Sequence, residues 1–228
     1  GLVSTTIWLF GGLCSAFAAG FSVQVAHYVG AEDLRGARNI IRQGLFSGLV
    51  FSLLLALIGL FIAPHLPVWL GADKEIHAGA SEYFSIVAAA LPVLEINMLA
   101  AGSLRCSGNI KIPSFLNALM CVLDVIFNYL FIFVFHMGTA GAAYGTFLAY
   151  AITMSLMIYF MTAKDQQLRF SLDTELMGKW NFTRYIPNKN TMKRAFTIGS
   201  PISLERGVMC GAQIAITGII APLGSVAI

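Results

Sequence analysis

Between Gly1 and Ala31, between Gln43 and Ala72, and between Val125 and Ala163 the chain carries no Asp, Glu, Lys or Arg. A hydrocarbon core takes about 20 apolar residues, each adding about 1.5 Å of helix rise, so stretches of this length predict membrane-spanning helices. The same pattern along the whole chain predicts six such segments, near 3–30, 44–68, 80–105, 113–135, 139–162 and 195–221. A porin-type barrel is excluded, because its strands alternate polar and apolar over about ten residues.

Composition agrees with the pattern. Of the 228 residues, 57% are hydrophobic and 11% are charged, with a mean hydropathy of +0.78. A water-soluble domain draws about a quarter of its residues from Asp, Glu, Lys and Arg, and this chain cannot cover a globular surface with less than half that supply. The fold class expected is all-α integral membrane, a polytopic helix bundle.

The net charge of +3 is unevenly placed. The first connection, Ala31 to Arg42, carries Arg35, Arg38 and Arg42; the third carries Arg105 and Lys111; the fifth, Lys164 to Arg194, carries seven Lys or Arg. The even-numbered connections hold Lys74 alone. By the positive-inside rule the odd connections lie in the cytoplasm. Orientation therefore accounts for the basicity, and nucleic acid is not expected as a partner. Cys14, Cys106, Cys121 and Cys210 stand apart in or beside apolar runs, which argues for packed, reduced thiols against a disulfide framework or a metal site. His27, His65, His77 and His136 fall near segment ends, where headgroup solvation accounts for them. No cleavable signal peptide is apparent, and the absence of an initiator Met suggests a piece of a longer protein.

Small residues four apart, at Gly44 and Gly48, Gly141 and Gly145, and Gly207 and Gly211, predict close helix contacts. The charged stretch 164–194, with Trp180, Phe182, Tyr185 and Pro187, suits a cytoplasmic linker between a lobe at 1–163 and a further helix at 195–228.

Candidate chemistry lies where the sequence accepts a cost in lipid. A carboxylate at the centre of a lone spanning helix is unfavourable by about 2.5–3.5 kcal/mol and faces a cavity or a partner. Glu95, Asp124 and Glu205 qualify. Asp124 shares a helix face with Asn128 one turn later; the pair either binds a proton or metal cation, or locks two helices through a hydrogen bond. Glu205 follows Pro201 by four residues, and a proline in a helix frees a carbonyl and bends the axis, so the acid reads as a gate or ion site. Glu95 follows Pro92 by three; it binds an ion or substrate, or it pairs with Arg206 as a structural bridge. A membrane-embedded enzyme would need clustered groups such as H-E-x-x-H or paired aspartates. The acids stand instead one per helix, which suits a site between helices at mid-depth, and no catalytic residue is expected.

Four blocks in order carry a family resemblance. The stretch Leu104-Arg105-Cys106-Ser107-Gly108-Asn109-Ile110-Lys111-Ile112-Pro113 resembles the L-R-G-x-G-[DN]-x-[KR]-x-P signature of the multidrug and toxic compound extrusion (MATE) transporters. Asp124 to Asn128 and Gly138 to Thr146 are similar to that family's N-x-x-x-D and G-x-x-G-A-A-x-x-T run, and Ala26 to Asp33 to its A-Q-x-x-G-A-x-D turn. The resemblance implies six helices, the second to the seventh, of a twelve-helix transporter of two lobes. Such a protein exports amphipathic or cationic compounds by alternating access in exchange for H⁺ or Na⁺, as a monomer in the bacterial inner (plasma) membrane, with no cofactor beyond the coupling ion.

The resemblance also implies roles. Asp124 and Asn128, exchanged relative to the family's Asn and Asp, would bind the coupling ion with Thr146 nearby, and Glu205 and Glu95 would bind ion or substrate. Arg105, Gly108, Pro113 and Pro201 are expected to be structural or gating residues. His27 stands where the family has Gln, and Cys106 where it has Gly. The alternatives are a lipid-linked oligosaccharide flippase of the same superfamily, which would call for an arginine-lined cavity, and a membrane-embedded enzyme.

Overall fold

The computed structural model describes residues 2–65, 77–164 and 188–220. All of them belong to helices or to the short turns between helices: α1 (Leu2–Gly30), α2 (Leu34–Ile62), α3 (His77–Cys106), α4 (Lys111–Tyr129), α5 (Gly138–Tyr159) and α6 (Lys189–Ile220). α4 and α5 each run on into one π-helical turn, Leu130–Val134 and Phe160–Lys164. The protein is an all-α polytopic membrane bundle. Most of the expected linker, residues 165–187, and the last eight residues lie outside the described residues.

The connections are shorter than charge alone suggested. Arg35, Arg38 and Arg42 occupy the first turns of α2, which begins ten residues earlier than expected. Asp33 explains the early start: its Oδ1 accepts the Gly36 N–H at 2.9 Å and caps the helix. The turn before it uses Glu32 at φ 59°, and the Asp33 N–H bonds back to the Tyr28 carbonyl at 2.9 Å. At the end of α3, Gly108 takes φ 86°, and the Asn109 N–H reaches the Leu104 carbonyl at 3.0 Å. That left-handed residue is why glycine stands in the motif. Pro113 is buried in the first turn of α4, where its missing N–H leaves no intrahelical bond unmade.

Among the described residues five helices, α1 to α5, are long and apolar enough to cross a membrane. α6 is helical as expected but falls short of that measure, diluted by Glu205, Arg206 and its Ser, Gly and Thr residues. It lies along α1 with much of its surface exposed. A Cβ placed on Gly20 would stand 2.5 Å from the Ala195 carbonyl oxygen, and one on Gly199 would stand 2.9 Å from that of Ala16. The Gln24 amide donates to the Gly20 carbonyl at 3.0 Å and to the Thr191 carbonyl at 3.2 Å, tying the two helices.

α1 is central, packed on α2, α3 and α6; α3 continues the bundle to α5, and α5 to α4. One apolar cluster joins Phe17, Phe21, Leu104, Leu116 and Met157, with Phe17 stacked on Phe51 at 4.5 Å. A second joins Phe10, Leu55, Phe84 and Leu91. The outer faces stay apolar too: Leu54, Leu57 and Phe61 on α2 and Phe115, Val122 and Val125 on α4 are exposed, as suits contact with acyl chains.

Two of the expected glycine pairs are contacts. Gly44 meets the Phe21 ring, and Gly48 meets Leu99 and Glu95. Gly141 meets the Phe131 backbone, and Gly145 meets Asn128. Gly207 and Gly211 meet nothing within 4 Å among the described residues. Adding a methyl at Gly145 would push it into the Asn128 backbone N, 2.9 Å from the new carbon. We expect Gly145→Ala to lower stability by about 1–3 kcal/mol, and Gly11→Ala, whose Cβ meets nothing within 4 Å, to stay within about 0.5 kcal/mol. Thermal unfolding midpoints in detergent compare the two.

Candidate functional site

Two of the cavities among the described residues share a wall of α1, α3 and α5. The larger, about 930 Å³, is walled by α1, α3, α4 and α5 and has His27, Gly30 and Arg105 at its mouth, the end the charge rule assigns to the cytoplasm. The smaller, about 350 Å³, lies toward the opposite end, with Trp8, Tyr83, Thr146 and Arg206 in its wall. Ser15, Leu94, Met98 and Tyr150 line both, so the two chambers meet there.

α4 and α5 bring three of the expected residues together. Asp124 and Asn128 are half-buried on one face of α4. Asn128 lies against Gly145, beside Thr146, and Asp124 lies close enough to Tyr150 of α5 to act on it electrostatically. Asp124 Oδ1 and Asn128 Oδ1 are both buried, and neither has a hydrogen-bond partner among the described residues. Buried acceptors are nearly always satisfied. The two unsatisfied oxygens stand one turn apart; Tyr150 lines both chambers, and neither Asp124 nor Asn128 does. The mutual hydrogen bond weighed for Asp124 and Asn128 is absent here, at least through these two oxygens.

The other expected residues lie apart from the pair. Glu205 is exposed on α6 and lines neither chamber, while its neighbour Arg206 turns inward over Gly12 and lines the smaller one. Glu95 is 0% exposed between α1, α2 and α3, and its oxygens have no partner, so the bridge to Arg206 is not formed. Arg105 is exposed at the cytoplasmic mouth, and Pro201 is exposed within α6.

Sequence reasoning missed Tyr150 and Asn97. Tyr150 follows Thr146 by four positions on one helical face, a spacing that could have found it. Asn97 is 5% exposed, has an unsatisfied Oδ1 and lines the larger chamber. Of the four cysteines, all free, Cys14 is buried as expected; Cys121 is exposed in the chamber wall, and Cys106 donates its thiol hydrogen to the Ser22 carbonyl at 3.1 Å. His27 belongs to the chamber mouth and not to headgroup solvation alone.

The arrangement is a cavity between helices, with the unsatisfied oxygens of Asp124 and Asn128 outside its lining and connected to it through Tyr150. The profile of the MatE family matches residues 1–130, more than half of the chain, and the chain belongs to that family. It is 26% identical over 231 residues to the multidrug export protein MepA of Staphylococcus aureus (strain MRSA252), covering 99% of this chain and 49% of MepA. The chain thus spans about half the length of such relatives. Its fold is similar to a multidrug resistance MATE family transporter of the MOP superfamily in two solved states. For the inward-facing conformation the TM-score is 0.82 at 24% identity, covering 93% of this chain and 46% of that one. For the outward-facing conformation it is 0.83 at 23% identity, covering 96% and 47%.

Because Cys106 and Cys121 line the chamber that opens at the cytoplasmic end, a membrane-impermeant thiol reagent should label them in inverted vesicles. Protection by an amphipathic cation such as ethidium is the expected companion result, read as a slower labelling rate.

Proposed function

We propose that the protein to which this chain belongs exports amphipathic or cationic compounds across a bacterial inner membrane by alternating access, driven by inward movement of H⁺ or Na⁺. The carrying observation is the pair of buried, unsatisfied oxygens of Asp124 and Asn128 beside Tyr150. Membership of the MatE family and the likeness to the multidrug export protein MepA support transport as the activity. The likeness of the fold to both inward-facing and outward-facing structures supports alternating access.

In this reading the coupling cation sits at Asp124 and Asn128, with Thr146 and Tyr150 alongside. A cationic substrate occupies the larger chamber, whose wall is mainly apolar with polar groups such as Asn97 and Asn117 among them. Loading the pair from outside weakens substrate binding; a negative coupling of this kind is typically worth about 1–3 kcal/mol, or about 5- to 150-fold in affinity. Glu205, one position from the inward-facing Arg206, serves as an acid of the α6 face. For Glu95 the packing favours an ion over a substrate, since neither chamber reaches it. Arg105 and Gly108 serve the cytoplasmic turn, and Pro113 and Pro201 the helix geometry.

The test is gradient-driven dye export by the full-length protein in liposomes, with H⁺ and Na⁺ gradients imposed separately. Asp124→Asn should insert normally but lose export coupled to either gradient, with the affinity shift between loaded and unloaded states falling from its 5- to 150-fold range to about one. Retained gradient-driven export by this variant would remove Asp124 from the site. Gradient-independent lipid scrambling would turn the reading to a flippase using Arg206, and bond cleavage would turn it to an enzyme.

A further inference from the structure

Glu95 has an environment unlike that of Asp124. Its side chain is 0% exposed, and neither carboxylate oxygen has a hydrogen-bond partner among the described residues. Three helices close over it. Cys14 of α1, also 0% exposed, turns its thiol toward the carboxylate. Gly48 of α2 is so near that a Cβ there would stand 3.4 Å from Glu95 Oε1 and 2.5 Å from Leu99 Cδ1. One turn on, Ser52 already gives its hydroxyl hydrogen to its own helix, at 2.7 Å from the Gly48 carbonyl and 3.0 Å from that of Leu49. Cys14 belongs to the apolar cluster of Phe10, Leu55 and Phe84, and Leu99 to that of Phe21 and Leu104. Glu95 therefore sits at the junction of the two cores.

Cys14 is the titratable group that faces Glu95 from α1; α2 offers Gly48 and Ser52 there, and the Tyr150 of α5 lies toward Asp124. An ionised carboxylate in this position has no counter-charge among the described residues, and the group that faces it from α1 is the Cys14 thiol, a weak donor. Moving an unpaired charge into an apolar interior costs far more than moving a neutral polar group, and such a group takes up a proton instead. A metal cation is a poor alternative occupant, since hard cations gather about six or more oxygens, and among the described residues no three His, Cys, Asp or Glu side chains cluster.

We propose that Glu95 is a proton-binding site separate from the Asp124 and Asn128 pair, its neutral form allowing α1, α2 and α3 to close over it and its ionisation requiring them to part. The step is proton binding alone: a carboxylate and H⁺ give the carboxylic acid, with no change of oxidation state. Pro92, three residues earlier on α3, leaves the Ala88 carbonyl without its helical donor and supplies a place to bend. Ala88 itself packs on Gly59 of α2, where a Cβ would stand 2.8 Å away, so a bend at Pro92 moves the α2 contact on one side of it and Glu95 on the other. The inference adds a second proton-linked element to the exporter reading without resting on it, because it concerns helix packing and is tested without transport.

Cys14 is the natural reporter. In the full-length protein, with Cys106, Cys121, Cys210 and any further cysteine replaced by Ala, Cys14 is labelled with a small maleimide from mildly acidic to alkaline pH. Dividing the rate in the unfolded protein by that in the folded protein at each pH removes the thiolate's own titration. If parting the helices is linked to loss of one proton, this protection falls about tenfold per pH unit across the transition, and Glu95→Gln abolishes the slope. A flat wild-type profile, or an unchanged slope in Glu95→Gln, overturns the proposal. Should Glu95→Gln fail to insert, infrared difference spectra of the wild type decide. A protonated-carboxyl C=O band that bleaches with the same midpoint as Cys14 exposure supports the site, and exposure without that bleaching overturns it.

Discussion

Every polar group inside the bundle is constrained by the medium around it. Acyl chains offer neither donor nor acceptor, so a side-chain oxygen placed within the spans must find its partner in the protein. Most do. Ser47, Ser52, Ser85 and Thr153 each return their hydroxyl to a carbonyl one turn back on the same helix, which lets them line tight helix contacts at little cost. Against that background the unsatisfied oxygens of Asp124, Asn128, Asn97 and Glu95 stand out as positions that need something from outside the chain.

The two buried acids answer the constraint differently. Asp124 is half-buried, with Asn128 one turn on and Tyr150, which borders both chambers, within electrostatic reach. Glu95 is 0% exposed, closed in by three helices, and borders neither chamber.

The membrane bundle was legible in the sequence because length and apolarity alone decide whether a helix can span. The Asp124 and Asn128 face was legible too, since a spacing of four fixes which side chains share a stripe. The start of α2 was obscured by Arg35, Arg38 and Arg42, whose charge reads as a loop although long side chains can remain solvated on a helix end. Asp33, three residues before Gly36, was the signal that could have corrected it. The direction of α6 could not be read at all. Glu205 and Arg206 are neighbours about 100° apart round the axis, and which one turns inward depends on the seating of α6 against α1. Gly12, Gly20 and Gly199 set that seating, and they lie at spacings that form no simple repeat.

That seating has a consequence for the smaller chamber. The Arg206 Cβ would lie 3.1 Å from a Cβ at Gly12, so the inward turn of the arginine is permitted by the absence of a side chain there. Its cation borders the same chamber as Thr146 and Tyr150, and Tyr150 in turn feels the Asp124 charge. Arg105 stands at the far mouth of the larger chamber, so the two arginines lie toward opposite ends with Tyr150 between them, and which of the two α6 neighbours borders a chamber follows from Gly12.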